Sequence, residues 1–345
     1  MKKTVFFVLI ITVLLNISCK PSSNTFKPNV SGAAFEVLWI IEDSVYKSAA
    51  GETLFNILQS PVEHLPQAEP QFQISRLKPA LFDNLLKTTR NIIIVDVNDQ
   101  EYTTPKIHLT NSIWANTQAV VTITAPDTES LDIALQKSGQ KIIDFIVKAE
   151  RERMKSYYLS NMNKEALTMV YKKFGCNIAI PTSMNKYIDG ENFLWITNGS
   201  STIRQDFIIY SVPYYSTEQL THEAILSRRD SVFKINVPGG VKGSYVGTEY
   251  RHEPPETKII NLNSAWAAET RGLWRMIDGE IMGGPFVSIT RIDELNKKII
   301  TVEGFVFAPG YNKRNPLRQM DAMVYSILLP HEINQVTVNA SKKTE

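Results

Sequence analysis

The stretch AVVTITAP, residues 119–126, leads directly into a long helical pattern, Asp127–Leu159. The first part is a β-branched apolar run with the length of a buried strand, and Asp127 is a favourable helix N-cap. Gly139, in the middle of the helical part, costs about 1 kcal/mol relative to Ala and predicts a weak point. The apolar residues of the helical part recur on one face and predict a buried stripe, made of Leu131, Leu135, Ile142, Ile146 and Ala149.

Strand and helix patterns alternate upstream of this stretch. We predict helices over Gly51–Gln59 and Pro79–Lys87, because the first has a helical pattern and the second has a proline at its first position. The predicted strands are Phe35–Ile41, Gln71–Arg76, Asn91–Val97 and Lys106–Thr110. Together these elements indicate an N-terminal α/β domain over residues 32–165 that ends in the long helix.

Downstream of the long helix, strand patterns dominate. Ser216 and Gln219 form a capping box that predicts a helix over Thr217–Val232, and Asn315 begins a last helix that stops before Pro330. The predicted strands are Asn177–Pro181, Asn192–Thr197, Asp206–Val212, Thr257–Asn261, Ala268–Ile277, Pro285–Ile292 and Lys298–Phe307. We therefore predict a mostly antiparallel α+β domain with two helices over residues 166–332, a polar tail over residues 333–345, and the α+β class for the whole chain.

The amino terminus has the three parts of an export signal. Lys2 and Lys3 are basic, Val5–Leu15 is apolar, and the small Ser18 precedes Cys19. A helix over the apolar stretch spans roughly half of a hydrocarbon core ~30 Å thick, so we predict a cleaved signal peptide over residues 1–18 and not a membrane-spanning helix. The alternative is an ordinary secreted protein that is cut near Ser18.

Leu15–Cys19 resembles the lipobox of bacterial lipoproteins, although Asn16 stands where Leu is usual. The resemblance implies that the Cys19 thiol carries lipid and that the protein is held at a membrane, because more than one acyl chain gives stable anchoring. Residues 19–31 are rich in Ser, Asn and Pro and are predicted as a tether. No acidic residue lies between Cys19 and Glu36, which predicts an outer-membrane lipoprotein of the cell envelope that faces the periplasm.

Composition and motifs exclude several classes of function. Removing residues 1–18 takes away two of the 37 basic residues and none of the 35 acidic ones, so the mature chain has no formal net charge and we expect no nucleic-acid partner. Besides Cys19 the only cysteine is Cys176, which we predict to be a small buried residue. The five histidines form no metal-binding pattern, and no phosphate-binding loop or nucleophile elbow occurs. We therefore predict no metal and no cofactor, and the sequence identifies no catalytic residue.

Three glycine-containing segments predict adjacent hairpins, namely Arg271–Trp274, Met282–Phe286 and Gly304–Phe307. Trp274 and Arg271 have the chemistry of a stacking surface with a guanidinium, which is common at binding hot spots. The predicted binding surface consists of Arg271, Trp274, Gly283, Gly284 and Phe286. The alternative is a turn with a core tryptophan and an arginine that reaches solvent.

Several distinctive segments, spread over nearly the whole mature chain, resemble those of one known family. They are Leu65–Phe72, Arg90–Ile93, Trp114–Gln118, Glu150–Arg153, Phe193–Trp195, Arg271–Trp274, Met282–Phe286 and Lys313–Arg318. The chain is similar to the uncharacterised Bacteroidetes lipoproteins that are grouped as domain of unknown function family 4837. The resemblance implies an envelope location and a single architecture, and it implies no activity.

Two functions agree with these features. The first is a non-catalytic binding or assembly module of the envelope, with a protein, a peptide or a glycan as partner. The alternative is an envelope hydrolase that acts on cell-wall or glycan material through converging carboxylates, and the acids near the glycine-containing hairpins are Glu269, Asp278, Glu280 and Glu303. The charged run Glu150–Arg153 is predicted as a solvated helix face and not as a catalytic carboxylate pair.

Overall fold

The computed structural model describes residues 27–333, which form two sheets with helices packed against them. The predicted α+β class is confirmed. The predicted signal peptide (residues 1–18), Cys19 and the tail beyond residue 333 lie outside the described residues. Within the described part, no helix has the length and apolar character that crossing a membrane requires.

The first sheet has five strands in the order β2-β1-β3-β5-β4, and only β4 is antiparallel to its neighbour. Its elements, in chain order, are β1 (Glu36–Ile40), α1 (Asp43–Tyr46), α2 (Ala49–Leu58), β2 (Gln73–Leu77), β3 (Asn91–Val97), β4 (Lys106–Asn111), β5 (Ala119–Ala125) and α3 (Thr128–Ser160). These bounds confirm the predicted strands and the predicted helices α2 and α3, because apolar periodicity marks each of them clearly.

Helix α3 runs unbroken through Gly139, so the predicted weak point is wrong. Asp127 caps the helix as predicted, because its side chain accepts a hydrogen bond from Ser130 N at 2.7 Å. Gly139 faces α2, where an added Cβ would lie 2.5 Å from Ile57 Cδ1. The glycine therefore allows α2 and α3 to pack closely on one face of the sheet.

The other face of this sheet is covered by an irregular segment, so the predicted helix Pro79–Lys87 is wrong. Only two short 3₁₀ turns form there, Pro79–Leu81 and Leu86–Thr88. Phe82 adopts an extended backbone between them and packs edge-on against Trp114, with the ring centroids 5.6 Å apart. In this segment, the packing of Phe82 on the sheet outweighs the helical preference of residues 79–87.

The second sheet is antiparallel throughout, with strand order β10-β11-β12-β13-β8-β7-β6, and β9 also pairs with β11. Its elements are α4 (Lys164–Phe174), β6 (Lys186–Gly190), β7 (Phe193–Thr197), β8 (Arg204–Pro213), α5 (His222–Asn236), β9 (Tyr245–Glu249), β10 (Glu256–Leu262), β11 (Ala265–Ile277), β12 (Gly283–Asp293), β13 (Lys298–Phe307) and α6 (Arg314–Val324). The sequence missed α4, β6 and β9, which carry few buried apolar residues.

Two other predictions in this half are corrected. The predicted strand Asn177–Pro181 is buried irregular backbone that makes only isolated bridges, since its apolar residues belong to the core without joining the sheet. The capping box of Ser216 and Gln219 is present, but it starts a short 3₁₀ turn, and Thr221 then caps α5.

Residues 27–31, at the end of the predicted tether, lie against the first sheet. Asn29 forms an isolated bridge with Asn116, and Ser31 forms one with Thr89. Arg90 N also donates a hydrogen bond to Ser31 O at 3.0 Å. These residues are therefore part of the folded N-terminal unit.

Helix α6 joins the two halves of the structure. It packs on the second sheet, where Gly304 allows Met320 to approach, and it also contacts α3. The carboxylate of Glu69 accepts hydrogen bonds from the first backbone N–H groups of α6, at 2.5 Å from Lys313 N and 3.0 Å from Arg314 N. A negative charge at this position satisfies donors that have no partner within the helix.

Arg318, in the middle of α6, is buried against the first half. Its guanidinium lies over the ring of Phe35, 4.3 Å from the centroid, and donates a hydrogen bond of 2.9 Å to Gln71 O. Burial lowers the pKa of Arg318 to about 9. The partners of the helix N-terminus and of Arg318 therefore come from the opposite half of the chain.

The charged run Glu150–Arg153 is not a solvated face, which corrects the prediction for Glu150 and Arg153. Glu150 is fully buried and accepts hydrogen bonds from Asn91 Nδ2 and Arg90 Nη2, each at 2.7 Å. Arg153 Nη2 lies 3.0 Å from the Glu150 carboxylate. Its Nη1 donates to the carbonyl oxygens of Arg90 and Thr117. This buried ion cluster fastens α3 to the amino ends of β3 and β5.

Replacing Glu150 with Ala should lower the free energy of unfolding by about 3–5 kcal/mol, because removing one partner leaves buried guanidinium charges without compensation. Glu152→Ala is the matched control, since the Glu152 side chain is 57% exposed and only approaches Lys155, at 3.9 Å. Urea denaturation followed by circular dichroism measures both variants. Equal stabilities of the two variants would contradict the structural role of Glu150.

Candidate binding pocket

The structure does not bring the predicted binding surface together. Arg271 and Trp274 lie on opposite faces of β11, because residues separated by an odd number of positions alternate across a strand. Trp274 and Phe286 are buried in one aromatic core cluster. An added Cβ would lie 2.0 Å from Val306 O at Gly284 and 2.8 Å from Trp274 O at Gly283. The two glycines therefore serve close backbone packing.

Arg271 belongs to an ion network on the side of the sheet that faces α6. Its Nε donates to Glu269 Oε1 at 2.9 Å, and its Nη2 lies 2.7 Å from Asp321 Oδ1. Tyr325 also donates its hydroxyl to Glu269, at 2.9 Å. Burial raises the pKa of Glu269, but the charge and hydrogen bonds of Arg271 and the hydroxyl of Tyr325 outweigh it, so the pKa is lowered overall. Arg271 thus holds β11 against α6.

The four acids considered for catalysis do not converge. Glu303 is fully buried on the face opposite Glu269, and its carboxylate lies 2.6 Å from Arg229 Nη2. Burial raises the pKa of Glu303, and the charge of Arg229 opposes that shift. Asp278 is exposed at the hairpin between β11 and β12, whereas Glu280 lines a neighbouring cavity. Glu269 and Glu303 are therefore structural ion-pair residues.

That cavity, which we call the aromatic pocket, has a volume of about 260 Å³. Its walls come from five strands of the second sheet, and the strand register places their side chains on one face. The aromatic walls and polar groups are Trp195, Arg204, Asp206, Trp274, Phe305 and Phe307. The Trp274 ring is fixed between Phe305 and Phe307, with centroid distances of 5.4 and 6.1 Å.

The mouth of the pocket is formed by two loops. Pro238, Gly239 and Gly240 line it from the turn that follows α5, and Met282 lines it from the hairpin between β11 and β12. An added Cβ at Gly239 would lie 2.5 Å from Met276 Sδ. The glycine-rich turn therefore lies close against the strand that carries Trp274 and closes one side of the pocket.

Asp206 is the buried polar group of the pocket. Its Oδ1 accepts hydrogen bonds from Trp195 Nε1 at 2.8 Å and from Arg204 Nε at 3.0 Å, and Arg204 Nε also lies 3.0 Å from Oδ2. The Oδ2 atom has no hydrogen-bond partner of good geometry among the described residues. Burial raises the pKa of Asp206, although Arg204 and Trp195 act in the opposite direction. Since buried polar atoms are normally paired, Oδ2 is the acceptor of the pocket that hydrogen bonds within the described residues leave unsatisfied.

The half-buried Arg204 connects this carboxylate with solvent. Its guanidinium carbon lies 5.3 Å from the centroid of the Trp195 ring, and its side chain is 34% exposed. A ligand that enters the pocket would therefore meet an aromatic wall, a guanidinium at the side and a carboxyl oxygen below. Enclosed apolar cavities with a few polar groups of this kind are typical ligand sites.

A larger groove of about 640 Å³ runs along α5, but it is open to solvent. Its central carboxylate, Asp230, accepts hydrogen bonds from Thr248 Oγ1 at 2.6 Å and from the Tyr250 hydroxyl at 2.7 Å. The Asp230 carboxylate is thus satisfied by its neighbours. We consider the smaller aromatic pocket the candidate site because it is less open to solvent than the groove and has an unsatisfied buried acceptor.

Sequence reasoning found part of this pocket. The three glycine-containing segments contain Trp274, Met282, Phe305 and Phe307, all of which line it. Arg204 and Asp206 were missed as site residues, although an acid at the start of the apolar run of β8 was a usable signal. Trp195 appeared only as part of the family resemblance.

Comparison with known families divides the chain in two. Residues 163–326 match the family described as Domain of unknown function (DUF4837), so the predicted family is confirmed for this half of the chain, which carries the aromatic pocket. The attribution to Bacteroidetes lipoproteins stays a prediction. Residues 30–159 match a second family, Domain of unknown function (DUF8532). The predicted extent of the first family over nearly the whole mature chain is therefore corrected. A search of the curated proteins found no match.

The network around Arg271 should make stability depend on pH. Because the folded-state pKa of Glu269 lies below its usual value of 4.5, its ionised form stabilises the fold above that pH, and this contribution is lost as the pH falls through the folded-state pKa. Glu269→Gln should cost about 1.5–3 kcal/mol at pH 7, the typical contribution of hydrogen bonds to a charged group.

The measurement is urea unfolding of wild type and Glu269→Gln between pH 7 and pH 3. The difference between them should shrink below about pH 4.5. Glu294→Gln provides the control, because Glu294 is exposed in the turn between β12 and β13. A constant difference over the whole pH range would refute the assigned direction of the shift.

Proposed function

We propose that this protein is a membrane-anchored lipoprotein of the bacterial cell envelope that binds one ring of a glycan in the aromatic pocket, without catalysis. The observation that carries the binding proposal is the pocket itself, in which aromatic side chains line a cavity together with Arg204 and the buried carboxylate of Asp206. The anchor rests on the amino-terminal sequence, where a signal-like segment ends at Cys19.

The pocket chemistry favours a sugar ring over a wholly apolar ligand. A sugar ring has a C–H face that packs on the rings of Trp195 and Trp274 and a rim of hydroxyl groups. A hydroxyl both donates and accepts hydrogen bonds, so it satisfies Oδ2 of Asp206 in either protonation state and also accepts from Arg204. The volume of about 260 Å³ suits one ring or chain end better than a longer segment.

The proposed ligand class is tested by titrating cell-wall glycan fragments into the protein and following tryptophan fluorescence, because Trp195 and Trp274 line the pocket. Arg204→Gln should weaken binding about tenfold or more, since a hydrogen bond to a charged group contributes about 1.5–3 kcal/mol. Arg275→Gln is the matched control: Arg275 lies on β11 outside the pocket and approaches Glu249 only at 3.5 Å.

Binding that weakens equally in both variants would place the ligand elsewhere. If peptides bind saturably and no glycan fragment binds, the glycan proposal is wrong, and the pocket is a peptide-binding site instead.

The anchor and location are tested separately. In the native host, mass spectrometry of the mature amino terminus should find acyl chains on Cys19, and the protein should fractionate with the outer membrane. Cys19→Ser should yield a protein that is released from membranes, because the folded body offers no membrane-spanning helix within residues 27–333. An unmodified thiol in wild type, or digestion by protease added to intact cells, would contradict the anchor or the periplasmic orientation, respectively.

A second candidate function, glycan hydrolysis, is favoured by one observation. Asp206 and Glu280 both line the aromatic pocket, and burial raises the pKa of Asp206. Two carboxyl groups that line one cavity, one of them with a raised pKa, are an arrangement that glycosidases use for acid–base chemistry. Turnover of bound glycan by wild type, abolished in Asp206→Asn with binding retained, would decide for the hydrolase. Binding without turnover would decide for the binding module.

A further inference from the structure

A second group of side chains with ligand chemistry lies where the two halves of the chain meet. Glu63 and His64 come from the loop between α2 and β2, and Glu253 and Glu256 come from the segment between β9 and β10 and the start of β10. One ligand atom each of Glu63, His64 and Glu256 lie within 4.8 Å of one another. The cluster shares no side chain with the aromatic pocket.

His64 is the unusual member of this group. Its side chain is only 8% exposed, yet its buried Nδ1 makes no hydrogen bond within the described part of the chain. Nδ1 lies 3.3 Å from Glu253 Oε1, and Nε2 lies 3.8 Å from Glu256 Oε2. Buried polar groups are normally hydrogen-bonded, so a buried imidazole that lies between carboxylates with an unpaired nitrogen indicates a ligand-binding site.

The backbone holds this imidazole in place. His64 N donates a hydrogen bond of 2.7 Å to Glu253 Oε1, and the residue has a φ of +57°. The carboxylate of Glu253 thus contacts both the backbone and the ring of His64. It holds the ring with Nε2 at 3.8 Å from Glu256 Oε2.

We propose that His64 Nε2, Glu63 and Glu256 bind a zinc ion that bridges the two halves of the protein. Imidazole nitrogen and carboxylate oxygens are ordinary zinc ligands, and three protein ligands leave a fourth position for water. Glu253 would act as the partner of Nδ1, since a histidine that binds a metal usually donates its other ring N–H to a carboxylate or carbonyl.

The charges at the site favour a divalent cation. Three carboxylates, from Glu63, Glu253 and Glu256, face one ammonium group, from Lys258. Lys258 Nζ lies 3.1 Å from the Glu256 carboxylate and 3.4 Å from the Glu63 carboxylate. Its ammonium group therefore interacts with the same carboxylates that would bind the metal. Its side chain is 51% exposed and can move into solvent when zinc binds. Lys258 is therefore a competitor of the metal, and its removal should strengthen zinc binding.

Isothermal titration of the metal-free mature protein with zinc chloride tests this proposal. Wild type should bind one zinc ion per chain, and Glu256→Gln should weaken binding at least tenfold. Glu253→Gln should weaken it about 10–100-fold, the usual effect of losing the partner of a ligating histidine. Lys258→Met should bind zinc more tightly than wild type. His108→Gln is the control, because His108 is exposed on β4 and far from the site in the sheet order.

His64→Asn is the most direct variant, since Asn tolerates positive φ better than most residues and keeps the backbone contact. If it folds, it should lose the increase in melting temperature that zinc gives wild type. If His64→Asn does not fold, Glu256→Gln still tests the site. The Glu256 side chain is 51% exposed, so this replacement should not disturb folding. Zinc binding that is absent in wild type, unchanged in Glu256→Gln, or weakened in Lys258→Met would overturn the proposal.

Discussion

The burial of α6 is the constraint on which the rest of the structure depends. This helix is covered on nearly all sides, and two of its charged residues, Arg318 and Asp321, are buried with it. Charged groups lose hydration when buried, so each must find a partner of fixed geometry. Asp321 finds Arg271 on the second sheet, whereas Arg318 finds Phe35 and Gln71 in the first half of the chain.

Because α6 is buried in this way, the two segments that match different families form one folded unit. The match to the second family ends at residue 159, and α6 belongs to the other segment, yet the N-terminus of α6 is satisfied by Glu69. A half that folded alone would leave these groups unpaired. The proposed zinc ligands lie across the same boundary, so the metal would reinforce a contact that hydrogen bonds already define.

The sequence predicted the elements that have a strong local signal. Strands β3 and β5 and helix α3 stand out by apolar runs or by a 3.6-residue period, and their bounds agree within a residue or two. Glu150 was misjudged because its partners, Arg90 and Asn91, lie about 60 positions away in the chain. Local polarity cannot distinguish a solvated carboxylate from a buried, paired one.

The candidate site was predictable only in part, for a related reason. Composition drew attention to Trp274 and Phe305, but their grouping with Asp206 follows from strand register, which pairs Phe305 with Asp206 across β13 and β8. Register also separates Arg271 from Trp274. The zinc ligands His64 and Glu256 are far apart in sequence, so no spacing pattern indicated them.

The wall around Trp274 has a thermodynamic consequence. Its indole N–H donates to Val306 O at 3.1 Å, and the missing side chain of Gly284 lets the two backbones meet behind it. The Trp274 side chain therefore loses little conformational entropy when a ligand binds. Preorganisation of this kind favours affinity by reducing the ordering cost of association. Selectivity between ligands should then depend on ligand shape, because a rigid pocket wall cannot adjust to a ligand that fits poorly.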